Sequence, residues 1–406
     1  MNTSDPKTIQ QGGVLSPEDH AALAAYNGIL TIDLDAIVAN WRKLEKTAVP
    51  AECSAVIKAN AYGCGTEPVA RALARAGCKT FFVATLEEAR LVRAAAPRAV
   101  IYTLNGFFQN TGDLYAKIDC RPVIGDLNEL AEWDMFCRRS GWRGGAAIHI
   151  DTGMNRLGLP IGEAKAIIPR IHAGDHGITL VMSHLVSAEL PNNPLNAKQL
   201  LTFRLVTSEF AGVPASLSNS SGIYLGGAFQ FDIVRPGCAI YGINPTPESD
   251  NPMQPIVDLK ARIVQTRSIE RGETVGYGAT WTARRPTRLA IVAAGYADGY
   301  FRAASANDGT RGAEAVIAGQ RCPIAGRISM DLMAVDITDL PPDAARRGHL
   351  ATLIGEGITV DELAHHFGTI GYEVLTSLGH RYARVYKGGN AEAATELPKA
   401  TTPAHR

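Results

Sequence analysis

The chain of 406 residues carries no excess charge of either sign: forty Lys and Arg stand against forty Asp and Glu. Nucleic acid and anionic membranes both favour basic partners, so neither is expected as the main ligand, and a small neutral or zwitterionic substrate fits better. Long apolar runs are missing too; none approaches the roughly 18 residues needed to cross a bilayer. The opening MNTSDPKTIQQGGVLSPEDH lacks the basic, apolar and small-residue order of a signal peptide. Cysteine is sparse and odd in number, seven residues without CxxC pairs, which argues against a disulfide framework or a zinc site. A cytoplasmic protein without a metal is therefore expected. What the chain does have is glycine, 40 residues of it, suited to the tight turns of a many-looped enzyme.

At roughly 150 residues per domain the length predicts two or three units. Between about 50 and 245, short apolar runs alternate with helix-like stretches, the pattern of βα units around a parallel sheet. Eight runs can be read: Ser54–Ala59, Thr80–Ala84, Ala99–Leu104, Pro122–Ile124, Ala146–Ile150, Thr179–Ser183, Ala215–Ser218 and Phe231–Val234. In the stretch TLEEARLVRAAA, Thr85 and Glu88 form a capping box ahead of Ala89 and Val92 at helical spacing. Eight parallel strands with crossovers in about 200 residues is the count of a TIM barrel. A doubly wound sheet would have fewer strands and a glycine-rich phosphate loop after the first. From about Pro255 the runs LKARIVQTRSI, TRLAIVAAG, AVIAGQ, LMAVDIT and HLATLIG alternate and are rich in β-branched residues, predicting a mostly antiparallel β domain with one short helix at Asp361–Gly368. The prolines of Asn244–Pro255 mark the boundary. The expected organisation is a mobile leader over 1–25, an α/β TIM-like barrel over 26–250, a β-rich domain over 251–388 and a mobile tail over 389–406.

Barrel enzymes build their sites just past the C-terminal ends of the strands. There stands Lys58, in VIKANAYGCG. A lysine ending an apolar strand either snorkels to the rim or is a desolvated amine of lowered pKa, able to form a Schiff base. The fifth run ends in Asp151 with Arg156 close behind, the sixth at His184, the seventh in Asn219-Ser220-Ser221-Gly222 and the eighth in Arg235-Pro236-Gly237. Each alone has a plain structural explanation, as a satisfied core histidine, a turn serine or a surface arginine in an ion pair. Together they converge on one mouth. Turns after the seventh and eighth strands commonly hold a phosphate, and a lysine opposite a phosphate site suggests pyridoxal phosphate.

The segments TIDLDAIVANW, VIKANAYGCG, DTGMNRLG, SNSSG, VRPGCAIYG, TVGYGATW, AAGYADGY and GRISMDLMAVDIT, in this order from about Leu30 to Gly388, resemble the alanine racemases, pyridoxal-phosphate enzymes of fold type III. The resemblance implies a TIM-like barrel followed by a β domain, and an isomerase that interconverts L-alanine and D-alanine for wall synthesis or alanine catabolism. It implies that Lys58 holds the cofactor and is the base on one face of the substrate, with Tyr277 the base on the other. Inversion needs such a pair, because a single base returns the proton to the face it came from. Tyrosine is a poor base at its ordinary pKa near 10, so positive charge has to assist it; in the resemblance His184 bonds that tyrosine and contacts Arg235. Arg235 faces the pyridine nitrogen, donating without giving up its proton. Tyr62, Ser220, Gly237 and Cys238 contact the phosphate, Asn219 supports that loop, Arg156 and the Met330 backbone meet the substrate, and Tyr296 lies at its entrance. Tyr277 and Met330 act on the barrel of the other subunit of a head-to-tail homodimer.

Two positions depart from the resemblance. Many members carry a carbamylated lysine seven residues before Arg156, where this chain has His149. An imidazole cannot reproduce that negative charge, so a bound anion such as chloride or another side chain is expected to compensate. The second phosphate-binding tyrosine of some members falls at His380, with Tyr382 as a substitute. Three other functions compete: a racemase of broader specificity, a decarboxylase, which would place a carboxylate where Arg235 stands, and a cofactor-binding protein, which would end after the barrel.

Overall fold

The computed structural model describes residues 9–11, 22–173, 177–210 and 212–389. Seven strands form a parallel sheet in the order Ala215–Ser216, Ile178–Met182, Ala146–His149, Arg121–Ile124, Val100–Thr103, Thr80–Val83 and Ala55–Val56. Their residues are almost wholly buried, Thr80–Val83 and Ala146–His149 without exception, because helices cover a parallel sheet on its outer face. An eighth strand, Ile233–Val234, closes the ring. It pairs in parallel with Glu52–Cys53, and Asp232 and Arg235 donate backbone N–H groups to Ala215 and Ser218 on its other side. All eight expected runs are therefore barrel strands. The first ends at Val56, two residues short of Lys58.

The outer helices start where side chains cap them. Asp33 accepts from Ala36 N–H at 3.0 Å, and the capping box of Thr85 and Glu88 opens Leu86–Ala95.

The second sheet is built around the thirteen-residue strand Val257–Ile269, which pairs antiparallel with Thr287–Val292 and Leu350–Ile354. Its first half alternates buried and half-buried positions; Val264–Ser268 are exposed. The strand Gly28–Asp33 belongs here rather than in the ring, although it lies inside the segment expected to be barrel. It pairs with Val257–Ala261 and, in parallel, with Ala383–Lys387. These pairings are non-local and leave no local mark. Two short helices, Val360–Phe367 and Gly371–Ser377, interrupt the β unit instead of the single one expected.

The expected leader is partly structured. Ile9–Gln11 pairs with Val385–Lys387, and Leu23 is buried against Ala383 and Val385. The rest of the leader up to residue 21, and the tail from residue 390, lie outside the described residues. Among the described residues no helix is long and apolar enough to cross a membrane, no cluster could hold a metal ion, and all seven cysteines are free thiols.

Candidate active site

Lys58 opens a turn that runs the wrong way for L-residues. Ala59, Asn60, Ala61 and Tyr62 all have φ between 52° and 54°, a left-handed conformation that costs roughly 1–2 kcal/mol per residue. Surrounding bonds hold it. Asn60 Oδ1 accepts from Thr66 N–H at 3.0 Å, and Gly63 and Gly65 donate to the Ala59 and Asn60 carbonyls. Glu88, the carboxylate of the capping box, also accepts from Ala59 N–H at 2.6 Å and Ala84 N–H at 2.8 Å. A capping signal in the sequence thus doubles as the clamp on the lysine turn.

The turn delivers Lys58 and Tyr62 to a cavity of about 860 Å³ at the C-terminal mouth of the barrel. His149, Arg156, His184, Asn219, Ser220, Arg235, Gly237 and Cys238 line the same cavity. Three cations, Lys58, Arg156 and Arg235, face it against a single carboxylate, Glu373. Such a cavity selects an anionic ligand.

Arg235 is 4% exposed and spans the strand ends. It donates to Ser216 Oγ at 2.5 Å and to the Ser183 carbonyl at 2.6 Å, and lies 3.5 Å from His184 Nδ1. Burial pulls its pKa to about 9, which leaves it protonated at neutral pH. Arginine can only donate, so His184 Nδ1 is the acceptor and Nε2 carries the hydrogen. Burial, with Arg235 beside it, drives the His184 pKa to about 3, so the ring stays neutral. His149 is likewise neutral, held near 4 by burial and then by Arg235. Burial lowers the Lys58 pKa, the Arg156 charge lowers it further, and Glu88 opposes both.

A cradle of small groups closes the far end. Ser220 Oγ accepts from the N–H groups of Gly237 and Ala239 at 2.9 and 3.3 Å, and Asn219 Oδ1 accepts from Gly222 N–H at 2.9 Å. A Cβ at Gly237 would stand 2.4 Å from the Tyr62 hydroxyl, so only glycine admits that phenol. Cys238 is buried beneath it, its thiol pushed up by burial.

The sequence reading missed the helix that brings Tyr372, Glu373 and Thr376 to this cavity. Tyr372, at the start of the helix Gly371–Ser377, meets the Tyr62 ring edge-on at 6.1 Å and bonds the Cys238 thiol. The positions expected to serve this end do not reach it. His380 is exposed, Tyr382 is buried under Gly28 with its hydroxyl unpaired, and neither lines the cavity. The single expected helix ended at Gly368, so nothing marked a second one lying over the mouth.

Tyr277, Met330 and Tyr296 lie elsewhere, on the β unit. They are 71%, 53% and 44% exposed. Tyr277 sits between the hairpin strands Thr274–Val275 and Trp281–Thr282 and lines a separate cavity of about 870 Å³ with Arg267, Ile291 and Leu332. Tyr296 and Met330 occupy adjoining turns, joined where Tyr296 and Ala297 N–H groups donate to the Ser329 and Met330 carbonyls. Within one chain, Lys58 and Tyr277 are not brought together.

A closed barrel with a partly desolvated lysine at the end of its first strand, a cationic cavity and an appended β unit defines a class of enzyme that works on small anionic or zwitterionic molecules. Comparison with known proteins specifies it. The family model described as alanine racemase, N-terminal domain, matches residues 32–245, and that of the C-terminal domain matches residues 256–386. The chain belongs to the alanine racemase family. It is 52% identical over 373 residues to an alanine racemase of Methylobacterium nodulans, covering 92% of this chain and 100% of that one. A biosynthetic alanine racemase of Agrobacterium fabrum is 42% identical, covering 88% of this chain and 93% of its own. The crystal structure of alanine racemase from Bartonella henselae with covalently bound pyridoxal phosphate superposes with a TM-score of 0.83 at 39% identity, covering 89% of this chain and 99% of that one.

Proposed function

We propose that this chain interconverts L-alanine and D-alanine with pyridoxal phosphate held in the barrel mouth. The observation that carries this is the convergence of Lys58, two guanidiniums and the Ser220–Gly237 cradle in one cavity of a racemase-family barrel. The residues present fit that group: an amine of lowered pKa for its aldehyde, hydroxyls and a glycine gap for its phosphate, and Arg235 for its ring nitrogen. When bound, the cofactor supplies the electron sink that acidifies the Cα hydrogen of an attached amino acid.

The chain's own groups do the rest. Lys58 Nζ takes or returns the proton on one face of Cα, and its lowered pKa raises the fraction of free amine available as a base. Arg156 pairs with the substrate carboxylate. Arg235 would donate to the ring nitrogen while keeping its own proton, because a guanidinium only donates. Ser220, Gly237, Cys238, Tyr62 and Tyr372 would hold the phosphate, and Asn219 braces their loop. The His184 Nε2 hydrogen is available to donate to a phenol oxygen.

The phenol that would meet it is that of Tyr277 of a second copy. In the proposed head-to-tail homodimer, Tyr277 and the Met330 backbone complete the partner's mouth and Tyr296 lies at its entrance; their exposure, and their absence from the lining of their own chain's Lys58 cavity, support this. Seven free thiols suit a reducing cytoplasm.

The test is a chiral separation of L-alanine incubated in heavy water with the purified protein and pyridoxal phosphate. Deuterated D-alanine is the expected product. Deuterium exchange with retained configuration would mean that only the Lys58 face works, and no exchange would remove alanine as the substrate.

A further inference from the structure

Behind the barrel mouth a buried amide joins two strand ends. Gln199, on the outer helix Pro194–Thr207, is 1% exposed. Its Nε2 donates to Thr152 Oγ1 at 3.0 Å and to the His184 carbonyl at 2.9 Å, while its Oε1 accepts from Val186 N–H at 2.9 Å. The Thr152 hydroxyl, 6% exposed as a residue, lies 2.7 Å from Ser183 Oγ, and the Ser183 carbonyl is the one that Arg235 bonds.

Thr152 starts the turn that carries Arg156. Asp151 Oδ1 gathers the N–H groups of Gly153, Met154 and Asn155 at 2.9, 2.9 and 3.2 Å, so the turn moves as one piece. The Arg156 guanidinium itself has no hydrogen bond or ion pair among the described residues, and neutral His149 supplies no charge to orient it. A buried amide gains little net stability over apolar packing. What this one adds is a fixed spacing between the exit of the fifth strand and that of the sixth.

We propose that Gln199 is a positioning residue, which through Thr152 sets the Arg156 turn in register with His184. It does from the scaffold what a charged side chain at position 149 would otherwise do. The inference rests on the reading of Arg156 as the residue that pairs with the substrate carboxylate.

The test measures KM and kcat for L-alanine, with saturating pyridoxal phosphate, in Thr152→Val, Thr152→Ser, Gln199→Leu and Arg156→Ala. Valine keeps the shape of threonine and removes its hydroxyl; serine keeps the hydroxyl and removes a methyl. Thr152→Val is expected to raise KM about fivefold, the loss of one net hydrogen bond, with less effect on kcat and unchanged absorbance of the bound cofactor. Thr152→Ser should stay within about twofold of wild type. Gln199→Leu should raise KM similarly, and combined with Thr152→Val should add less than its single effect. If Gln199→Leu does not fold, the valine and serine pair still decides. A serine variant worse than the valine variant would show that Thr152 only packs, overturning the clamp. Arg156→Ala with unchanged KM would overturn the carboxylate reading and the clamp with it. A raised KM in Arg156→Ala beside a normal one in Thr152→Val would overturn the clamp alone.

Discussion

Among the described residues Tyr277 and Lys58 line separate cavities, and under the proposed reading they serve opposite faces of the substrate. Removing Tyr277, which leaves the Lys58 attachment in place, should therefore be asymmetric. Tyr277→Phe is expected to cut racemisation by about 10²–10⁴, while the Lys58 face continues to exchange the Cα hydrogen of one enantiomer. Following deuterium washout from the two enantiomers separately checks it; equal loss for both would contradict the assignment of opposite faces. The buried imidazoles make a second prediction. Free histidine titrates near 6.5, whereas folded His149 and His184 hold out to about 4 and 3. Between those values the unfolded chain binds protons that the folded one refuses, so stability is full above pH 6.5 and falls as the pH drops toward 4. Thermal melts from pH 8 to 5 should show that slope, and His149→Gln should flatten it.

At the scale of elements, the left-handed turn after Lys58 is the costliest local conformation in the site. Ala59 is exposed in it, with φ at 52°, so a glycine there relieves strain and loses no packing. Set against the extra entropy of glycine in the unfolded chain, Ala59→Gly should raise stability by roughly 0.5–1 kcal/mol. Denaturant unfolding measures this, and a destabilised variant would show that the turn is not strained. This turn was not legible in the sequence: VIKANAYGCG announces a lysine past a strand, but nothing in Ala59 or Ala61 signals positive φ. The barrel was legible because each strand is buried on both faces and so reads as a short apolar run. Gly28–Asp33 instead alternates buried and half-buried positions, and its place in the other sheet was not legible because pairing partners hundreds of residues away leave no local mark.

For the whole molecule, the proposed assembly has a numerical consequence. Lys58→Ala and Tyr277→Phe should each be inactive alone. Mixed in equal amounts and allowed to exchange subunits, half the dimers would be hybrids. In each hybrid one site pairs an intact Lys58 with an intact Tyr277 and the other lacks both. Activity should return to about one quarter of wild type. A mixture that stays inactive would mean that each chain serves its own site, or that no such dimer forms.

The sequence alone determined the barrel, the β unit after it and the set of strand-end residues Lys58, Arg156, His184, Ser220 and Arg235, because strand burial and strand-end placement are local properties that each segment carries with it. The tertiary structure decided what distance in the chain conceals. It brought Tyr372 rather than His380 or Tyr382 over the mouth, turned the Glu88 cap toward the lysine turn, buried His149 and His184 into neutrality, and tied the turn of Arg156 to Gln199 on a helix some forty residues away. Such contacts depend on how elements pack, and packing is decided by the whole chain at once.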